Sequence, residues 1–206
     1  MENLGWALTA GLVVSVGVAV LLLIRTERAN RSAKLQNSQA LGFTPITTSP
    51  EWIQQITGLH IRPGASSDAY RLANVSSKRW PDGDLILYDL IDTSGSDSST
   101  TDVQAVAVLS PTLDLPTFGM FPRTEGEGML AGAANQMMGW LLTRFGDPVE
   151  FPEVPEFGRR YFVSSRNPEG TRLFLDESRL RRLAETRLLA VRAGGHAFSV
   201  SRIEPR

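Results

Sequence analysis

Any chemistry in this chain has to be built from few parts. The sequence holds 2 His and no Cys, so a thiolate nucleophile is excluded and zinc finds neither thiolates nor paired histidines. No G-x-S-x-G sets a serine on a strained strand-to-helix elbow, and a Ser–His pair would have to come from distant segments around His60 or His196. One glycine pattern stands out: GEGMLAG, residues 126 to 132, satisfies G-x-G-x-x-A, with Glu150 further on. A dinucleotide site uses such glycines to bring backbone and a helix N-terminus against a pyrophosphate. Here the preceding FPRTE places Pro122 and polar residues where a buried strand should enter the turn. Glu125 and Glu127 would also set two negative charges beside the phosphates, so no cofactor is expected.

Six aspartates, Asp82, Asp84, Asp89, Asp92, Asp97 and Asp102, share a window without a Lys or Arg. Calcium needs converging oxygens at fixed spacing, closed by a bidentate Glu, and this window has neither. Turn and loop chemistry accounts for most of them, and no metal site is expected. Four arginines form the remaining cluster. Arg172, Arg179, Arg181 and Arg182 lie on a helical segment whose apolar stripe is Leu173, Leu180 and Leu183. Two readings compete: a solvated face that neutralises acids of the same domain, or a contact with anionic lipid or a partner. Nucleic acid is not expected, because no aromatics interleave with the arginines.

Charge is unevenly spread along the chain. Residues 1–40 carry +2, residues 41–156 carry −9 and residues 157–206 carry +6, which leaves a net charge of −1. An acidic first half and a basic tail within one domain would attract each other on folding.

The strongest single feature is the run Leu4–Ile24, 21 residues without a charge. At about 1.5 Å per residue it measures about 31 Å as a helix, the thickness of a bilayer's hydrocarbon core. Its only hydroxyl side chains are Thr9 and Ser15, too few for the polar face of a core helix. A cleaved secretory signal needs a positive n-region, yet Glu2 is the one charged side chain ahead of the run. The expectation is an uncleaved single-pass helix over residues 4–24 in the cell membrane. Arg25, Arg28, Arg31 and Lys34 follow it, which places the short N-terminus outside and the bulk of the chain in the cytoplasm. Within the run Ala7, Gly11, Ser15 and Ala19 recur at every fourth position, a face suited to helix self-association.

Residues 25–40 read as a charged juxtamembrane linker and residues 41–206 as one soluble α+β domain, enough chain for its own core. Strands are predicted near Ala69–Val75, Leu85–Ile91, Val103–Leu109 and Leu113–Phe121, with a hairpin signal at Asp82-Gly83 in WPDGD. Residues 129–146 carry apolar side chains at helical spacing, with Gly146 placed to end the helix. In the tail, RRYFVSS is predicted as a strand, PEGTRLFLDESRLRRLAE as one or two helices with Asp176 as an N-cap. TRLLAVRAGGHAFSVSRIE is predicted as a hairpin about Gly194-Gly195, pairing Val191 with Phe198 and Leu189 with Val200 on one apolar face. Strands without strict βα alternation argue for a mainly antiparallel sheet with packed helices.

The segment FPEVPEFGRRYFVSSRNPEGTRLFL, residues 151 to 175, preceded by LSPTLDLPTFGMFPR, resembles the C-terminal part of uncharacterised bacterial proteins with one N-terminal membrane span. The resemblance implies a bacterial membrane-anchored domain and brings no catalytic motif with it. Phe151, Phe157, Tyr161 and Phe162 around Pro152 and Pro155 read as core anchors. The sequence therefore points to a membrane-tethered, non-catalytic interaction module facing the cytoplasm, with lipid, self-association or a protein partner as its contacts. The alternative is an enzyme, such as a hydrolase, with a site assembled from scattered polar residues.

Overall fold

The computed structural model describes residues 31–46, 50–61, 64–93, 101–123, 142–186 and 189–202. The run Leu4–Ile24 with its stripe Ala7, Gly11, Ser15 and Ala19, the glycine motif 126–132 and most of the helix read at 129–146 lie outside the described residues. No helix among the described residues is long and apolar enough to cross a membrane.

The domain is α+β, and the described residues form a nine-stranded sheet in the order β1-β2-β3-β4-β9-β8-β5-β7-β6. The strands are β1 Thr44–Pro45, β2 Tyr70–Trp80, β3 Gly83–Asp92, β4 Thr101–Leu109, β5 Leu115–Pro122, β6 Asp147–Pro148, β7 Tyr161–Ser165, β8 Leu189–Gly195 and β9 Ala197–Arg202. Every pairing among them is antiparallel. The helices are α1 Arg31–Ala40, α2 Pro50–His60, α3 Pro155–Arg160, α4 Pro168–Phe174 and α5 Glu177–Glu185. The residues read as a linker thus end in a helix, α1, and Phe43 just beyond it is 2% exposed in the core.

The C-terminal hairpin does not sit at an edge. It inserts between β4 and β5, so that β9 pairs β4 and β8 pairs β5. Both outer strands are two residues long and end in proline, Pro45 and Pro148. A proline cannot donate to another chain's ladder, so both sheet edges are blunted against further pairing.

Alternation along the strands divides the core. Leu85, Leu87, Val106, Val108, Phe198 and Val200 face one layer with Leu180 and Phe157. Ile86, Tyr88, Leu90, Ala105 and Ala107 face the other with Ile56 and Leu59 of α2. Burial on both faces explains why LILYDLI carries apolar side chains at odd and even positions alike, with Asp89 the one charged residue among them. The aromatic anchors behave as read: Phe157 stacks on Tyr161 at 5.1 Å and meets Phe151 edge-on at 5.5 Å. Asp176 caps α5, accepting from the Arg179 backbone N–H at 2.9 Å. Gly146 ends the helical turn 142–145 with φ of 100°, a value that L side chains rarely adopt.

Two turns differ from expectation. The β2–β3 turn centres on Pro81-Asp82, since Trp80 pairs Gly83. Proline at its first central position and glycine after it fit a type I turn. The C-terminal hairpin turns at Gly195-His196, not Gly194-Gly195, so Val191 pairs Val200 and Ala193 pairs Phe198. Gly195 takes φ of 58°, as a type II′ turn requires of its first central residue. The His196 Nδ1–H donates to the Leu113 carbonyl, and the His196 carbonyl accepts from the Ser110 N–H at 2.9 Å. These two bonds fix the turn one residue further on. A register change of two residues keeps every side chain on its face, so Leu189, Val191, Phe198 and Val200 still share one side.

Candidate functional site

The sheet brings together one set of chemistry-bearing groups that the sequence leaves far apart. In α2, Trp52, Ile56, Leu59 and His60 fall on one helical face. His60, in the last turn, is carried with that face onto the sheet. There Nε2 lies 2.8 Å from the Tyr88 hydroxyl of β3 and 3.3 Å from the Ser199 hydroxyl of β9. Tyr88 and Ser199 are themselves 2.7 Å apart, although β4 runs between their strands. Tyr88 pairs Ala105, and Ser199 pairs Ala107. Alanine at both positions leaves room for the phenol to lie across β4.

Burial sets the electrostatics. Desolvation, with the Arg192 guanidinium second, holds the His60 imidazole well below its ordinary pKa of 6.5. Desolvation also raises the Tyr88 phenol well above its usual 10. At neutral pH both groups are uncharged. With the imidazole proton on Nδ1, Tyr88 donates to His60 Nε2, and the one Ser199 proton is shared between the Tyr88 oxygen and Nε2. Tyr88 and Ser199 are 0% exposed and His60 4%. A general base must reach a substrate's proton and a nucleophile must reach a carbonyl. These groups reach only each other.

The four arginines singled out from sequence meet different surroundings. Arg179 is turned inward: it donates to the Phe174 carbonyl, lies 5.2 Å over the Phe174 ring, and pairs with Asp176 at 3.6 Å. Arg181 pairs with Glu177 at 2.6 Å and Glu156 at 3.4 Å. Arg172 donates to the Glu150 carbonyl at 3.4 Å. Arg182 is exposed on α5. None of these contacts is to the acidic window, so the neutralising partners are local.

A different pattern organises the cations. Each of the helices α1 to α5 has an Arg or Lys donating to a carbonyl at or near its C-terminal end. Lys78 donates to Leu41 at 2.9 Å after α1, and Arg144 donates to Gly58 in α2. Arg123 donates to Gly158 at 2.7 Å and Tyr161 at 3.0 Å at the end of α3. Arg179 serves α4 through Phe174, and Arg160 serves α5 through Ala184 and, at 2.8 Å, Thr186. The last carbonyls of a helix lack intrahelical partners and carry the negative end of its dipole. Arg160 and Arg179 of the basic tail are therefore spent inside the fold.

The acidic window disperses. Asp84 pairs with Arg79 at 3.0 Å. Buried Asp89 accepts from Asn74 Nδ2 at 2.6 Å. Asp97 lies outside the described residues. Among the described residues, no group of three His, Asp or Glu side chains is placed to hold a metal.

Sequence reasoning missed the His60–Tyr88–Ser199 cluster because AFSVSR reads as apolar-in, polar-out, which puts Ser199 in water. The run of β3, apolar on both faces apart from Asp89, was the available signal that the second face is covered as well. The chain matches no protein-family model, no curated protein and no solved structure.

Proposed function

We propose that this chain is a membrane-tethered, non-catalytic interaction module facing the cytoplasm. The observation that carries the non-catalytic half is the closed cluster of His60, Tyr88 and Ser199. It is the one place among the described residues where a histidine and a serine hydroxyl meet, and its three polar groups bond one another under α2. The cluster joins a helix to two strands, which is a structural duty. The tether rests on the charge-free run Leu4–Ile24 and the basic residues that follow it. The resemblance of residues 151–175 to bacterial single-span proteins agrees with it. Partner contacts fall to the surface of the domain and to self-association through Ala7, Gly11, Ser15 and Ala19.

The hydrolase alternative makes a direct counter-claim, because a serine activated by histidine reacts with fluorophosphonates. Full-length protein in native membranes should show no covalent adduct on Ser199 after exposure to such a probe, read by peptide mass spectrometry. An adduct on Ser199 that disappears in His60→Gln would establish the enzyme instead.

A further inference from the structure

His60 does more than fill space, because it is the polar attachment of a whole helix. It ends α2, and its bonds to Tyr88 and Ser199 tie α2 to β3 and β9 at once. The rest of the attachment is apolar, through Ile56 and Leu59, together with the Arg144 side chain donating to the Gly58 carbonyl. The ring is also the one group in this contact whose charge can change between pH 5 and 8.

The surroundings of the ring are arranged against that charge. From β3 it meets the Tyr88 hydroxyl, from β9 the Ser199 hydroxyl, and from β8 the Arg192 guanidinium acts on it as a like charge. The apolar side chains that β2 and β4 pack into this layer are Tyr70, Leu72, Val75, Ala105, Ala107 and Leu109. Arg144 approaches the end of α2 from the turn 142–145. The neighbouring elements do carry carboxylates. Asp84 and Asp92 share the Tyr88 face of β3 but stand four residues from Tyr88 on either side, about 13 Å along the strand, and Asp84 pairs with Arg79; Asp89 is on the opposite face of β3, with Asn74. Glu51 is in the opposite, first turn of α2. A second cation at His60 would be buried near Arg192, its ring bonded among the described residues to two hydroxyls and no carboxylate, and the Tyr88 hydroxyl would have to reverse to accept a hydrogen bond.

We propose that α2 is a proton-released latch: uptake of a proton by His60 frees α2 from β3 and β9 while the nine-stranded sheet stays folded. The imidazole of a detached α2 is in water and titrates near 6.5, whereas the docked one resists protonation. Docking is therefore undisturbed above about pH 6.5 and weakens as pH falls below it. Each pH unit below that point raises the open fraction by up to about tenfold, until the docked ring titrates as well. Release would uncover Tyr88, Ile86 and the alanines of β4, an apolar floor that α2 covers at neutral pH. This device depends on the cluster and not on the tether, so it stands or falls separately from the proposed function.

Hydrogen–deuterium exchange of the full-length protein in detergent micelles, from pH 7.5 to 5.0 and corrected for intrinsic exchange rates, tests it. Amides of residues 54–60 should lose protection below pH 6.5 while those of β3, β4 and β9 keep theirs. His60→Gln, which keeps a hydrogen-bonding side chain but does not titrate, should flatten that dependence, and His196→Gln should leave it unchanged. Should His60→Gln fail to fold, the His60 ring signal of the wild-type protein by NMR decides, because its titration must track the opening of α2. Loss of protection in helix and strands together, pH-independent exchange of α2, an undiminished slope in a folded His60→Gln, or a ring titration that departs from α2 opening would each overturn the latch.

Discussion

Replacing Arg160 with Met tests whether the basic residues of the tail are interior caps or a surface patch. Arg160 is half-buried and donates from both terminal nitrogens, to the Ala184 carbonyl and to the Thr186 carbonyl at 2.8 Å. Both acceptors stand at the C-terminal end of α5. Hydrogen bonds with a charged partner contribute about 1.5–3 kcal/mol each when shielded from water. Partial exposure lowers that, because water can take over one freed carbonyl. Loss of the cation at the helix terminus removes about 0.3–1 kcal/mol more. Methionine retains an apolar stem of similar reach, so the packing loss is small, and the expected cost is about 2–3 kcal/mol. For a domain of this size that is a fall in Tm of roughly 5–10 °C. Thermal and urea unfolding of the full-length protein in micelles, followed by tryptophan fluorescence, would measure it. Arg182→Met is the control, since Arg182 is exposed on the same helix, and its midpoint should match the wild type. Equal effects of the two substitutions would refute the reasoning, because position in the fold would then carry no weight.

Two further perturbations address the frame. Deleting residues 186–206 removes β8 and β9 from the middle of the sheet, leaving β4 and β5 unpaired on their inner sides; the truncated chain should show no cooperative unfolding transition by circular dichroism. Asn74 holds φ of 50° at the bulge between Ala73 and Ser76 and donates to buried Asp89 at 2.6 Å, so Asn74→Val should cost about 2–4 kcal/mol by chemical denaturation, from a strained backbone and the lost hydrogen bond to a buried carboxylate.

What the sequence made legible was local or periodic. The α+β class, the strands of the first meander, the Asp176 cap and the Gly146 terminus each follow from residues within a few positions of one another. The apolar face of the C-terminal hairpin was legible from period-two alternation, and its register was not. The deciding bonds run from His196 to Leu113 and from Ser110 to His196, across 83 and 86 positions in the chain. Charge is the harder case. Composition shows a basic tail, but not that Arg160 and Arg179 spend their donors on helix carbonyls, because a carbonyl leaves no mark in sequence. The His60–Ser199 contact spans 139 positions, and no motif spacing reaches that far.

The tether is the claim on which the rest of the functional account depends, and limited proteolysis on both sides of the membrane measures it most directly. Intact cells and inverted membrane vesicles carrying the full-length protein would be treated with protease and probed with an antibody against residues 142–186. The account expects the domain to survive in intact cells and to be digested in inverted vesicles, with intact mass spectrometry showing residues 4–24 retained in the mature chain. Digestion in sealed cells would contradict the orientation, and a mature chain beginning beyond Ala19, recovered in the soluble fraction, would contradict the tether itself.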